Sequence, residues 1–277
     1  MVKGYELVDS GEGERLERFE DRYLIRPSRL AIWGKGREAR VWDNATSRYK
    51  HKVGWSKEIS PFNITLFDVK LALELQESGQ IGFFPEHLEY MPILQAELLS
   101  RKGGVASGAA AKVLNLFAYT GLASLVAARQ GAEVTHVELS KRVINWAKSN
   151  GDNNRISNIR FINEDAISFV EKEVRRKAAY DLIIADPPSF SRVSPKNEWQ
   201  LEEVLPNLLK ALVNLARPKN GLILFSSHLY EFGAHVSANI LRSLVSQAES
   251  VKVKDLLINE ESSQRVLPAG FLVEARG

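Results

Sequence analysis

The chain has 277 residues, 44% hydrophobic and 26% charged, with 37 Lys and Arg against 34 Asp and Glu for a net charge of +3. That is enough apolar material for a full core, so global disorder is excluded, and no apolar run approaches the ~18 residues of a membrane span. Cysteine is absent, which excludes disulfides, thiolate metal sites and a cysteine nucleophile.

A reducing cytoplasm is the expected location, and the acidic start, Met1 to Arg15, predicts no secretory signal. Residues 5–60 read as short strands and turns. Turn signals stand at Asp9-Ser10-Gly11, Arg26-Pro27-Ser28, Gly34-Lys35-Gly36 and Asp43-Asn44. Strands are predicted at Tyr5–Val8, Tyr23–Ile25 and Leu30–Trp33. Between Tyr23 and Ser60 lie nine cations, Arg26, Arg29, Lys35, Arg37, Arg40, Arg48, Lys50, Lys52 and Lys57, against three acids. Trp33, Trp42, Tyr49 and Trp55 are interleaved with them. Two readings stand level: a surface for a polyanion whose bases stack, or a solvated β-surface over core tryptophans.

Further strand-like runs span Phe62–Phe84, with a turn at Glu77-Ser78-Gly79. Pro85 opens a predicted helix to about Ser100, with Leu88, Met91, Leu94 and Leu98 on one face. Residues 101–112 are rich in Gly and Ala and read as a linker. The expected organisation is a β-rich N-terminal domain over 1–100 ending in a helix, a linker over 101–112, and a catalytic domain over 113–277.

From Val113 strand and helix alternate. Strands are predicted at Val113–Phe117, Glu133–Glu138, Ile159–Ile162, Leu182–Ala185, Leu222–Phe225, Val253–Ile258 and Phe271–Glu274. Continuous apolar runs such as Leu182–Ala185 suit a parallel sheet covered on both faces. The fold class is α/β, a doubly wound sheet with ligands at the carboxyl ends of its strands.

The first of these strands runs through Asn115, Phe117, Ala118 and Tyr119 to Thr120 and Gly121, and then into a helix. Thr120 is the predicted N-cap, and Gly121 permits close backbone approach. A dinucleotide would need three glycines here, and the fingerprint is absent. Glu138, followed by Leu139, ends the second strand, where a carboxylate can accept both ribose hydroxyls or simply favour the helix start. Ser140 is read as the cap of the next helix. After the third strand Asp165 can accept an adenine amino group or cap the helix opening at Ala166. The two acids together suit an adenosine without pyrophosphate, and S-adenosylmethionine is the cofactor they suggest.

Strand four ends at Asp186-Pro187-Pro188-Ser189-Phe190. The prolines fix the backbone and leave carbonyls pointing outward. The carboxylate and these carbonyls can accept hydrogens from a planar amino or amide group, and Phe190 can stack on its ring. Arg192 and Lys196 read equally as phosphate contacts or solvated loop charges. His228 reads as a polar residue ending strand five, with proton acceptor as the alternative.

NLFAYTG, VELS, NEDA and ADPPSF, in this order and spacing, resemble the class I S-adenosylmethionine-dependent methyltransferases. More narrowly, the chain resembles the ribosomal RNA large-subunit methyltransferases of the RlmI and RlmK type. The similarity covers about 113–277, and Gly79–Glu86 looks like the family's segment just before the catalytic domain. It implies a Rossmann-like seven-stranded sheet in the order 3-2-1-4-5-7-6. It implies cofactor contacts at Asn115, Phe117, Tyr119, Thr120 and Gly121, Glu138 on the ribose, Asp165 on adenine, and Asp186 to Phe190 beside the methyl group. Phe84 and Pro85 are implied to close the cofactor pocket. RNA, ribosomal by resemblance, is the expected partner, with no membrane and no metal.

Two departures matter. Where family members often carry a PUA-type module in front, only the smaller β-rich domain is expected here, and RNA capture would then rest on the 23–60 window. Relatives that make 5-methylcytosine need a cysteine to activate carbon 5, and this chain reads Phe225-Ser226-Ser227-His228 at that place. A nitrogen or oxygen is the expected acceptor, a base nitrogen first. The alternatives are a protein amide or small amine, or a non-catalytic RNA-binding protein on this scaffold.

Overall fold

The computed structural model describes residues 4–104, 109–194, 197–228, 233–245, 250–261 and 263–276. Two compact units emerge: residues up to Glu89 together with Leu257–Ala269, and Tyr90–Leu256 together with the residues from Gly270.

The first unit is built on β1 (Tyr5–Gly11), β2 (Glu14–Phe19), β3 (Arg22–Pro27), α1 (Ala39–Asp43), β4 (Ser47–Lys50), β5 (Gly54–Trp55), β6 (Phe62–Leu66) and β7 (Val69–Leu73). β1 to β5 form one sheet in chain order, and β6 pairs with β7. The β6–β7 hairpin alternates cleanly, with Phe62, Ile64, Leu66, Val69, Leu71 and Leu73 buried. Phe67 and Asp68, both at positive φ, make its two-residue turn. The expected turn at Asp9-Ser10-Gly11 falls instead at Glu12-Gly13, because Gly11 still pairs with Glu14. Asp9 faces inward and accepts hydrogen bonds from the Gly36 and Arg37 amides and from Trp42 Nε1 at 2.8 Å. Leu30–Trp33 is not a strand. Its carbonyls cap the β1–β2 turn, with Glu12 N–H donating to Trp33 O at 2.7 Å and Gly13 N–H to Ala31 O at 2.9 Å.

The deepest polar contact of this unit is Glu17, which is fully buried. Arg26 grips it through two hydrogen bonds of 2.7 and 2.8 Å, and Tyr5 donates to it at 3.0 Å. Burial pushes the carboxyl up, but Arg15 and Arg26 outweigh it and hold it below its usual value.

The helix expected from Pro85 to Ser100 is interrupted. Pro85–Glu89 is a short 3₁₀ turn, and α2 (Met91–Gly104) starts afresh. Pro92 has no N–H to bond back to Leu88, so it fits a first helical turn and not a helix interior. α2 groups with the second unit and runs into the expected linker, whose residues 105–108 lie outside the described residues.

The second unit continues with β8 (Lys112–Leu116), α3 (Leu122–Arg129), β9 (Glu133–Glu138), α4 (Lys141–Asn153), β10 (Ile159–Asn163), α5 (Ala166–Arg175) and β11 (Leu182–Ala185). There follow β12 (Phe190–Ser194), β13 (Asn197–Gln200), α6 (Leu201–Leu215), β14 (Leu222–Ser227), α7 (Gly233–Leu244), β15 (Lys252–Asn259) and β16 (Val266–Arg276). The seven-stranded sheet runs β10-β9-β8-β11-β14-β16-β15, the order 3-2-1-4-5-7-6 that the resemblance implied. The first five are parallel, and β16 runs antiparallel to β14. Every residue of β11 is buried, as a central strand covered on both faces requires. α5, α6 and α7 bury Phe169, Leu205, Leu209, Leu212 and Leu241 against Ile183, Ile223 and Phe225 of the sheet. The carboxyl ends of β8, β9, β11 and β14 come together because their registers are nearly level, with Ala185 opposite both Leu116 and Phe225.

Candidate active site at the carboxyl ends of the strands

The turn after β8 is strained. Phe117 and Tyr119 stand at φ +55° and +50°, and Gly121 at +96°. A side chain at such φ costs roughly 1–2 kcal/mol, so the surroundings must hold the turn. They do so through backbone groups. Ala118 N–H donates to Val137 O at 3.1 Å, Gly121 N–H to Ala118 O at 3.1 Å, and Asn150 Nδ2 to Thr120 O at 3.0 Å. Thr120 is therefore not the cap. α3 starts from Gly121 in a left-handed conformation with no side-chain cap.

Asn115 is held beneath the turn. Its Nδ2 donates to Ser124 Oγ at 2.9 Å, and Ser124 Oγ lies 3.0 Å from His136 Nδ1, all three buried. Burial drives the His136 imidazole down to about 3, against a backbone hydrogen bond with Tyr119 that raises it, so the ring is neutral. This Asn115–Ser124–His136 chain lies directly beneath the turn, and a Cβ on Gly121 would touch His136 Cε1 at 3.5 Å. His136 and Ser124 are structural supports of this turn that the sequence did not reveal, because period-two and helical patterns record only that such positions are inward.

Glu138 ends β9 with both oxygens engaged. Oε2 accepts from Tyr119 N–H at 3.1 Å and Oε1 from Ser140 N–H at 2.8 Å. Burial raises its pKa and those amide bonds pull it back. Ser140 caps α4 as expected, its Oγ accepting from Val143 N–H at 3.4 Å. Leu139 beside it is exposed, and Asn163 Nδ2 clamps the carbonyls of Glu138 and Leu139 at 3.0 and 2.7 Å. Asp165 caps α5 through Oδ2, which accepts from Ser168 N–H at 2.8 Å. Ala118 and Ala166 are small and buried at the same edge.

Asp186 stands at the tip of β11. Ser226 Oγ donates to its Oδ1 at 2.7 Å, and His228 Nε2 lies 3.4 Å from its Oδ2. Ser226 and His228 come from β14 and the residues after it, so two neighbouring strands hold one carboxylate. Pro187 is buried and Pro188 exposed. Phe190 is 45% exposed on the β12–β13 hairpin, an element the sequence reading did not anticipate, with Arg192 over its ring at 5.8 Å. Trp199 of the same hairpin is buried with its ring 6.0 Å from that of Phe117, edge-on. The hairpin thus packs on the cofactor turn. Lys196 lies outside the described residues.

In the basic window the bland reading prevails for most cations. Arg26 pairs with Glu17, Lys35 and Arg48 with Glu14, Arg40 with Glu38, and Arg37 with Glu261. Trp42 is core, and Trp33 Nε1 donates to Ser10 O at 3.0 Å.

An S-adenosylmethionine-dependent methyltransferase family pattern matches residues 92–237, more than half of the chain. A solved S-adenosylmethionine-dependent methyltransferase from Agrobacterium tumefaciens superposes with a TM-score of 0.92 at 30% identity, covering 100% of this chain and 91% of that one. The chain belongs to the S-adenosylmethionine-dependent methyltransferases. Among curated relatives, the "Ribosomal RNA large subunit methyltransferase K/L" of Shewanella frigidimarina is 38% identical over 130 residues, 46% of this chain and 18% of the relative. The protein of the same name from Vibrio cholerae is 30% identical over 235 residues, 83% of this chain and 30% of the relative. The chain spans less than a third of either relative's length. No helix among the described residues is long and apolar enough to cross a membrane.

Proposed function

We propose that this methyltransferase modifies a base nitrogen in ribosomal RNA. The observation that carries the reading is the Asp186 carboxylate, held by Ser226 at 2.7 Å and followed by an exposed Phe190. That is an acceptor-only edge beside a stacking ring, which suits a planar base with an N–H. The names of the curated relatives support RNA, and with them a cytoplasmic site of action.

The residues present fit the cofactor. Each Glu138 oxygen spends one acceptor position on an amide, which leaves others for two ribose hydroxyls. Asp165 spends Oδ2 on its cap, and its other oxygen faces the choice of an adenine amino group. The turn from Phe117 to Gly121, with Ala118 small inside it, leaves the backbone approachable where a larger side chain would fill the space. Asn115 acts through Ser124 and His136 in holding that turn. S-adenosylmethionine, when bound, supplies a methyl carbon on a sulfonium whose sulfur departs neutral.

Asp186 accepts a hydrogen bond from the N–H of the acceptor nitrogen, orients its lone pair, stabilises the positive charge that develops there and takes up the proton that the methylated nitrogen releases. The Pro187 and Pro188 turn fixes the direction of that edge, and Phe190 stacks on the base. With no cysteine in the chain, addition to carbon 6 of a pyrimidine by a thiolate of this chain is unavailable, which favours a nitrogen over carbon 5 as the acceptor. The test is transfer of labelled methyl to RNA fractions and protein fractions in parallel. Label confined to protein would replace the RNA reading with the amide reading.

A further inference from the structure

We propose that the β4–β5 hairpin and the groove beside it hold a single-stranded RNA segment, with one base inside the groove and its phosphates outside on lysines. The inference rests on the RNA reading above and gives it a place on the first unit. Once the paired cations of the 23–60 window are set aside, those left in no ion pair among the described residues are Arg29, Lys50, Lys52 and Lys57. Three of the four lie on or just after this hairpin, all exposed, around a tip at which Val53 is 79% exposed. The unpaired cations of the window are therefore concentrated at one exposed turn.

A groove of about 750 Å³ opens beside that turn, lined by Tyr49, Lys52, Trp55, Glu58, Glu74 and Glu77. That volume lies within the ~300–1,000 Å³ usual for small-ligand clefts. Its aromatic pair is fixed in advance. Tyr49 and Trp55 lie 5.4 Å apart at 60°, Tyr49 Oη donates to Glu77 O at 2.8 Å, and Trp55 Nε1 donates to Gln76 O at 2.8 Å. With both polar tips spent on the 76–77 turn, Trp55 offers its apolar ring to the groove in one orientation, so stacking costs little further ordering.

The charges in and around the groove are sorted by position. Its lining carries Glu58, Glu74 and Glu77 with Lys52 where the groove meets the hairpin tip, an acidic balance that repels a phosphate from the interior. Glu58 and Glu77 form no ion pair among the described residues, and Glu74 Oε1 accepts from Gln76 Nε2 at 3.1 Å. Carboxylates accept from exocyclic amino groups. The complementary ligand places an amino-bearing base (adenine, guanine or cytosine) in the groove and its backbone along Lys50, Lys52 and Lys57. Uracil has no amino group to offer.

The test uses fluorescent ten-residue oligoadenylate and oligouridylate, titrated with the full chain across a range of salt. The wild type is expected to bind the adenylate about tenfold tighter. Lys50→Gln/Lys52→Gln/Lys57→Gln is expected to lose at least tenfold on both and to flatten the log–log salt dependence by about 2, since single strands give ~0.7 per phosphate contact. Glu58→Gln/Glu77→Gln is expected to erase the adenylate preference without weakening oligouridylate. All five residues are exposed, so the fold is retained. The proposal is overturned if the lysine variant matches the wild type in affinity and salt slope, or if the wild type binds neither oligonucleotide. Methyl transfer to ribosomal RNA, run in parallel, separates the two readings. Transfer with lysine-independent binding removes this surface alone, and lysine-dependent binding without transfer removes the proposed function alone.

Discussion

At the scale of single residues, Asp186 and His136 differ in their surroundings, Asp186 being partly buried and His136 fully buried. Asp186 accepts from Ser226 Oγ at 2.7 Å. A hydrogen bond to a charged group is worth roughly 1.5–3 kcal/mol. Asp186→Ala is expected to lower kcat for methyl transfer by at least 100-fold while S-adenosylmethionine affinity, read by calorimetry, changes less than threefold. Ser226→Ala is expected to lower kcat by about tenfold with KM for the cofactor unchanged. Turnover unaffected by either change would remove that carboxylate from the reaction. His136 is instead kept neutral, its pKa driven to about 3 by burial. The unfolded chain takes up this proton near pH 6.5 and the folded chain does not, so stability falls as pH falls between those values. The slope is about 1.4 kcal/mol per pH unit. His136→Gln keeps a partner for Ser124 and is expected to lose that slope, so urea titrations at pH 7 and pH 5 would show the wild type falling by about 2 kcal/mol more than the variant. Equal losses would show that His136 does not hold its proton off.

At the scale of elements, each loop of the site is secured by a neighbouring strand. The turn after β8 is held from β9, and the tip of β11 from β14. Gly121→Ala, at φ +96°, is expected to weaken cofactor binding at least tenfold, because the left-handed position must give way before the turn forms. In the first unit the comparable element is the β1–β2–β3 sheet, where Glu17 gathers Tyr5 and Arg26. Glu17→Ala would strand the Arg26 charge in the interior, and breaking such a pair costs about 3–5 kcal/mol. A denaturation midpoint within error of the wild type would contradict that role. Elements were legible in the sequence where one period dominated. The strands of the second unit are read to within a residue or two up to β11, and the cap at Ser140 is read directly. Legibility failed where a tertiary partner overrode the local pattern. Asp9 looked like a turn residue but serves as a buried acceptor, Leu30–Trp33 looked like a strand but caps a turn, and Pro92 divided a helix whose apolar spacing ran on unbroken.

Across the whole molecule, the strand tips were the legible part, because the proposed site there is built from short contiguous runs such as Ala185–Phe190. The support beneath was hidden, because Asn115, Ser124, His136 and Ser226 meet only once the sheet is assembled. The basic window shows the reverse error: its charge excess is real in sequence, but five of its nine cations pair with Glu14, Glu17, Glu38 and Glu261 on folding. The remaining cations and the strand-tip carboxylate lead to one central claim, that the acceptor is RNA and Asp186 its contact. It is tested most directly by transfer of tritiated methyl from S-adenosylmethionine to ribosomal RNA from cells lacking this protein, with Asp186→Ala alongside. The account predicts label in ribosomal RNA, absent with the variant. Label in protein alone, or equal label from both enzymes, would contradict it.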